Sequence, residues 1–107
     1  MSSFTTVKSN RDFRACYRKG RTARSRQLVL YYRRRKGPEV RFGFVVSKKV
    51  GGAVQRNRVR RVLREACRLN SHLFAPGFDY VFVARPECVT LGLAQAENIV
   101  LGLLKSF

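Results

Sequence analysis

Residues 47–64 read SKKVGGAVQRNRVRRVLR, a basic joint between two apolar periods. Before it, Val40, Phe42, Phe44 and Val46 alternate with Arg41, Gly43 and Val45, the two-residue period of a strand. Beyond Gly51 and Gly52, Val59, Val62, Leu63, Ala66 and Cys67 recur at helical spacing, so the run from Val54 to Leu69 is read as a helix that buries one stripe. The remaining surface is almost all arginine. At about 100° per residue, Arg56, Asn57, Arg60, Arg61, Arg64 and Arg68 fan over one broad arc opposite that stripe. With Arg58 they make six arginines between positions 56 and 68, offset by Glu65 alone. Like charges at i, i+3 and i+4 repel one another. A solvated charged face is the ordinary reading of such a helix, but solubility is served by mixed signs and by lysine as well, whereas an all-arginine face matches bidentate contacts to phosphate. Lys48 and Lys49 carry the basic surface into the preceding loop. There Gly51 and Gly52 either let a phosphate backbone approach closely or make an ordinary turn.

The flanking sequence supplies a frame for this helix. Ser9 and Asp12 have the spacing of a helix N-cap, Phe13, Cys16 and Tyr17 follow at i, i+3 and i+4, and Gly20 stops a short first helix. The run from Gln27 to Arg33 reads as a strand, with Leu28, Leu30 and Tyr32 on one face and Val29 and Tyr31 on the other. Lys36, Gly37 and Pro38 separate it from the Val40–Val46 strand, and the two are expected to pair as a hairpin. Between Gly20 and Gln27 a further short strand is open, although the Arg- and Ser-rich composition gives little signal. Asp79 to Arg85 is a third clear strand, bounded by Pro76, Gly77 and Pro86, and Thr90 stands where it can cap a last apolar helix to Leu104. No repeat, linker or low-complexity segment interrupts the pattern. A length of 107 residues with 45% hydrophobic content fits one domain over 1–107.

Charge narrows the function. Twenty-three Lys and Arg against six Asp and Glu leave +17, a self-repulsion that calls for an acidic partner. Nucleic acid fits better than a membrane, because no stretch approaches the ~20 consecutive apolar residues of a spanning helix and no signal-peptide pattern opens the chain. A cytoplasmic location is expected. Cys16, Cys67 and Cys88 are odd in number, without a CxxC pair and with one histidine, His72, so they are read as reduced thiols in the core and not as a zinc site. The acids Asp12, Glu39, Glu65, Asp79, Glu87 and Glu97 are scattered, which offers no cluster for a two-metal nuclease. His72 as a general base has little support beside the reading of a surface histidine near a helix end. Phe13, Tyr17 and Tyr31, with Val29, either fill the core or form a platform for unpaired bases, where each stack contributes ~1–3 kcal/mol. Composition does not decide between these.

The stretch at 47–64 resembles the signature of the bacterial ribonuclease P protein component: SKK, a glycine-containing turn, then RNR-x-K/R-R. The likeness extends over nearly the whole chain, through Asp12, Phe13 and Tyr17, the RQLVLY run, RFGFVVSKK and DYVFVAR. It implies an α+β fold, an α-β-β-β-α-β-α sandwich with a central, mainly antiparallel sheet and a left-handed β-α-β crossover, like the second domain of ribosomal protein S5. Periodicity does not show that handedness, and general rules favour the opposite. The resemblance further implies the protein subunit of a ribonucleoprotein endonuclease that removes the 5′ leader of precursor tRNA. In that enzyme the RNA subunit carries out hydrolysis with Mg²⁺, held mainly by RNA and substrate, and the protein contributes no catalytic residue and binds no metal tightly. By the same resemblance, Arg56, Asn57, Arg58, Arg60 and Arg61, extended by Arg64 and Arg68, dock the RNA subunit together with Lys48 and Lys49. Phe13, Tyr17, Val29 and Tyr31 take the single-stranded leader, and one protein is expected per RNA. Three positions depart from the family pattern: Gly52 where Asn is frequent, Tyr17 where Phe is common, and an end at Phe107 without a basic tail. The competing readings are a ribosomal or general RNA chaperone and a protein-only nuclease.

Overall fold

The structure, a computed structural model, describes residues 5–7 and 9–105; Phe107 lies outside them. The Ser9 hydroxyl accepts the backbone N–H of Asp12 at 3.1 Å and opens helix α1 (Asn10–Lys19). Gly20 ends it by donating its N–H to the Cys16 carbonyl. A Cβ at Gly20 would collide with that carbonyl oxygen and stand 2.7 Å from the carbonyl of Tyr32, so glycine is what lets the end of α1 lie against the sheet.

Thr5–Thr6 forms β1, and the chain after α1 runs through β2 (Arg21–Arg24), β3 (Leu28–Arg34), β4 (Arg41–Val45), α2 (Ala53–Leu69), β5 (Phe78–Ala84) and α3 (Leu93–Leu104). The sheet is mixed, in the order β1-β4-β5-β3-β2. It is antiparallel through β2, β3 and β5, and parallel where β5 meets β4 and β4 meets β1. Because α2 joins the parallel neighbours β4 and β5, the α-β-β-β-α-β-α order implied by the resemblance is present, preceded by the two-residue β1.

The expected hairpin between β3 and β4 does not form. β5 lies between them, paired with β3 from Leu28↔Ala84 to Arg34↔Phe78 and with β4 from Arg41↔Asp79 to Val45↔Val83. Tyr80, Val81 and Phe82 are buried in succession, so β5 has no face for water and takes the centre of the sheet. The true hairpin partner of β3 is the arginine-bearing β2, whose turn is closed by the Ser25 hydroxyl accepting the N–H groups of Gln27 and Leu28. Thr90 does not cap the last helix. Pro86 starts a 3₁₀ turn that ends at Thr90, and Gly92 is the cap, its N–H held at 3.1 Å by Gln95 Oε1.

Two apolar layers follow from the alternation. Leu28, Leu30, Phe42 and Phe82 pack against Val59, Leu63 and Ala66 of α2 and Val100 of α3. On the other face, Tyr31, Val45, Val81 and Val83 meet Phe13 and Cys16 of α1. Beneath α1 lies Asp79, a fully buried carboxylate. It accepts Nε and Nη2 of Arg41 at 2.8 and 2.7 Å and Nε of Arg35 at 2.8 Å, while Arg41 also reaches Asp12 at 3.3 Å. The segments of Arg35 and Arg41 are thereby tied to β5, and α1 is joined to them through Arg41. Removing one member of a buried ion cluster leaves its partners uncompensated. Asp79→Ala is therefore expected to lower the unfolding free energy by about 3 kcal/mol, near the low end for such clusters because both arginines reach solvent. Urea unfolding measures this, and an unchanged midpoint would remove Asp79 as the tie.

Candidate nucleic-acid interface

The arginine helix begins where Gln55 folds back, its Oε1 accepting the N–H of Gly52 at 2.8 Å. Its side chain fills the space a Cβ at Gly51 would need, so the two glycines serve the helix start. Val59, Leu63, Ala66 and Cys67 are buried beneath. Arg56 and Arg60 flank that stripe on one side and are half-buried, whereas Arg61 and Arg64 are exposed. Arg60 donates to Asn57 Oδ1 at 3.0 Å and to the Val46 carbonyl at 3.4 Å. Arg61 has no hydrogen-bond or ion-pair partner among the described residues, and the buried Nε of Arg56 has no acceptor. With Phe42, Gly43 and Phe44, the side chains of Arg60, Arg61 and Arg64 border a hollow of about 430 Å³.

Arg58 and Arg68 are engaged internally as well. Arg58 falls on the opposite border of the stripe, where it donates to the carbonyls of Val89 (3.1 Å) and Leu91 (3.0 Å) and clamps α2 to the turn before α3. Arg68 forms a two-bond pair with Glu65, both contacts 2.7 Å, and this hydrogen bonding holds the Glu65 carboxyl below its usual range. Lys48 and Lys49 are exposed on a turn closed by the Val50 N–H on the Ser47 carbonyl at 3.0 Å, between the end of β4 and the start of α2.

The aromatic residues meet on the other face of the sheet. Strand pairing aligns Tyr31, Val81 and Gly43 in one row and Val29, Val83 and Val45 in the next. Helix α1 lies over the first row. The Cys16 thiol points to the carbonyls of Tyr31 (3.8 Å) and Asp79 (3.7 Å), and the Phe13 ring sits so close over Gly43 that a Cβ there would stand 2.6 Å from it. Tyr17, 39% exposed, packs edge-on against Tyr31 with ring centroids 4.9 Å apart. Burial, then the neighbouring Tyr31, raises the Tyr17 phenol above its ordinary value, so it stays protonated at neutral pH. Phe13, Tyr17 and Val45 border a hollow of about 390 Å³ with Asn10 and Arg14. Of the four residues expected at a leader site, Phe13, Tyr17 and Tyr31 are brought together, and Val29 lies one row along the same face. Val45 and Val83 are additions that only the register reveals.

The three cysteines are buried and free. Desolvation raises Cys16 and Cys88 to about 11 and Cys67 further still. Among the described residues no three His, Cys, Asp or Glu side chains stand together as metal ligands.

Unpaired guanidinium groups on one helix and exposed rings beside a second helix are the two devices by which proteins hold RNA backbone and unstacked bases, and they place the chain among RNA-binding proteins. Comparison with known proteins narrows the class. The family described as Ribonuclease P matches residues 1–107. The ribonuclease P protein component of Pelotomaculum thermopropionicum is 42% identical over 105 residues, covering 98% of this chain and 94% of the relative. That of Desulforamulus reducens is 51% identical over 98 residues, covering 92% and 87%. Among solved structures, the RNase P protein of Staphylococcus aureus superposes with a TM-score of 0.87 at 31% identity, covering 97% of this chain and 95% of that one. The RNase P protein from Thermotoga maritima gives 0.86 at 27% identity, covering 95% and 96%. The chain belongs to the ribonuclease P protein component family. It is a subunit of the tRNA-processing ribonucleoprotein endonuclease and acts with the ribonuclease P RNA subunit; a general RNA chaperone is not favoured.

The clamp made by Arg58 separates two kinds of loss. Arg58→Ala is expected to destabilise the free protein by about 1–3 kcal/mol, the range for hydrogen bonds from charged groups, as read from urea unfolding. Native Cys16, Cys67 and Cys88 are expected to resist a thiol reagent at neutral pH until the chain unfolds. Prompt labelling of the native protein would contradict their burial.

Proposed function

We propose that the α2 face carrying Arg56, Asn57, Arg60, Arg61 and Arg64, with Lys48 and Lys49, docks the ribonuclease P RNA near its catalytic core. In the same reading the surface of Phe13, Tyr17, Val29 and Tyr31, with the hollow that Phe13, Tyr17 and Val45 border, holds the single-stranded 5′ leader of precursor tRNA. One protein per RNA is part of the same reading, and the cytoplasm is where such a subunit would meet its substrate. The observation that carries this reading is the exposed Arg61 guanidinium, without a carboxylate partner among the described residues, together with the partly uncovered aromatic row on the other face of the sheet. Arg58 and Arg68 contribute less directly, because their guanidinium groups already have internal acceptors.

The chemistry follows from charge. Folded RNA crowds phosphates, and arginines that neutralise them lower the cost of bringing a second polyanion, the substrate, against the first. The side chains of this chain do not fit a tight Mg²⁺ site: both oxygens of Asp79 are taken by arginines, and the described acids form no ligand group. In this reading the RNA and substrate would hold Mg²⁺ in the holoenzyme, where it would supply positive charge near the reacting phosphate. The protein positions the strand being cut.

Reconstituted cleavage of precursor tRNA tests the assignment. Activity is expected with a ribonuclease P RNA and none from rigorously RNA-free protein. Affinity for the RNA subunit is expected to fall with salt at a log–log slope of about −0.7 to −0.9 per phosphate contacted. Tyr31→Ala is expected to weaken binding of leader-bearing tRNA by about 1–3 kcal/mol while sparing mature tRNA; equal losses for both forms would remove the leader site.

A further inference from the structure

Two more cationic hollows lie outside these surfaces. Arg11, Arg14, Arg18 and Lys19 share the side of α1 opposite Phe13 and Cys16, and with Ala15 they border a hollow of about 500 Å³. Past the C-terminal end of α1, Lys19, Arg21, Arg33 and Arg34 surround a larger one, about 600 Å³, whose base is formed by Tyr32, Phe78 and Tyr80. The Phe78 and Tyr80 rings stack there at 6.0 Å. None of these cations forms an ion pair among the described residues. The buried Nε of Arg33 has no hydrogen-bond acceptor, which an incoming phosphate or base oxygen would supply.

The hollows are continuous with the leader site. Arg14 borders both the aromatic hollow and the α1 hollow, and Lys19 borders both the α1 hollow and the far pocket. A cationic path therefore runs from Phe13 and Tyr17 across the outer side of α1 and round its end. In the other direction the aromatic hollow reaches Val45, just ahead of the Lys48–Lys49 turn and the start of α2. The path follows α1 for about 15 Å and then turns where Gly20 leads into β2. A duplex, with a persistence length of about 50 nm for DNA, is too stiff to follow that corner. A single strand is not, and its bases have faces for Phe78 while its phosphates meet the arginines.

The geometry points to an extended leader track: single-stranded RNA upstream of the segment in the aromatic hollow crosses α1 on Arg14, Arg18 and Lys19 and seats a nucleotide among Arg21, Arg33, Arg34 and Phe78. This rests on the reading of the aromatic hollow as the leader site. It makes long-leader substrates bind more tightly than short-leader ones, through contacts that a short leader never reaches.

The test measures equilibrium binding of reconstituted holoenzyme to precursor tRNAs with a leader that only fills the aromatic hollow or one about ten nucleotides longer. Wild type is expected to favour the longer leader, with a salt slope steeper by about 0.7 per added phosphate contact. The triple variant Arg18→Ala, Arg21→Ala, Arg34→Ala changes three exposed side chains outside the aromatic hollow. It is expected to lose about tenfold in affinity for the long leader, the scale of a few phosphate contacts, with short-leader binding unchanged. An equal loss on both leaders, or no loss on either, overturns the track. Tyr31→Ala, measured alongside, should weaken both leader lengths. If it does so while the triple variant is silent, only the track falls; if Tyr31→Ala is silent as well, the leader site falls with it.

Discussion

Twenty-three cationic and six anionic side chains must share a body about 35 × 27 × 25 Å in extent, and the arrangement of the molecule follows from where the few anions go. Asp79 and Asp12 are drawn to Arg41 and Arg35 under α1, and Glu65 to Arg68. Arg58 and Arg60 place N–H groups on backbone carbonyls. Arg61 stands on α2 without an internal partner among the described residues, and like charges a helical turn apart cost about 0.2–0.5 kcal/mol per pair. That cost has a purpose only if a polyanion removes it.

The sheet turns this excess into two addressable surfaces. Because β3, β4 and β5 alternate cleanly, one face is sealed by α2 and α3 while the other is covered by the ten-residue α1. The row Tyr31–Val81–Gly43 lies under α1, and the row Val29–Val83–Val45 runs on beyond it. The aromatic hollow is the edge of that cover. Its Val45 end leads by sequence into the lysine turn and the arginine helix, so on the proposed reading a strand held in the hollow would lie next to the face that docks the RNA. On that reading the substrate is placed by the topology of the sheet.

Features set by local chemistry were legible in the sequence, and features set by long-range pairing were not. The Ser9 cap, the two faces of β3 and the apolar stripe of α2 each depend on residues within a turn or two, and the structure has them. Strand order depends on which strand can lose water on both faces, which is why β5 displaces the hairpin that the spacing of β3 and β4 suggests. The edge strand β2 reads Arg21, Thr22, Ala23, Arg24, with an arginine on each face, and so carried little signal. Likewise, the Asn57–Arg61 run looks uniform on a helical wheel. Only the packing of the turn at Pro86–Thr90 against α2 shows that Arg58 is a clamp while Arg61 is open. Val45 and Val83 joined the surface proposed for the leader through register alone. The family resemblance supplied the strand between Gly20 and Gln27 that periodicity left open.

The claim beneath this account is that the arginine face of α2 is strained in the free protein and relaxed on RNA. Its most direct test is the pair of free energies measured on one substitution, Arg61→Gln, which keeps helix propensity nearly constant. Urea unfolding of the free protein at low salt should show a small gain in stability, about 0.2–0.5 kcal/mol for each repulsive pair relieved, while affinity for the ribonuclease P RNA falls. A variant that is less stable alone yet binds the RNA as tightly as wild type would contradict the account.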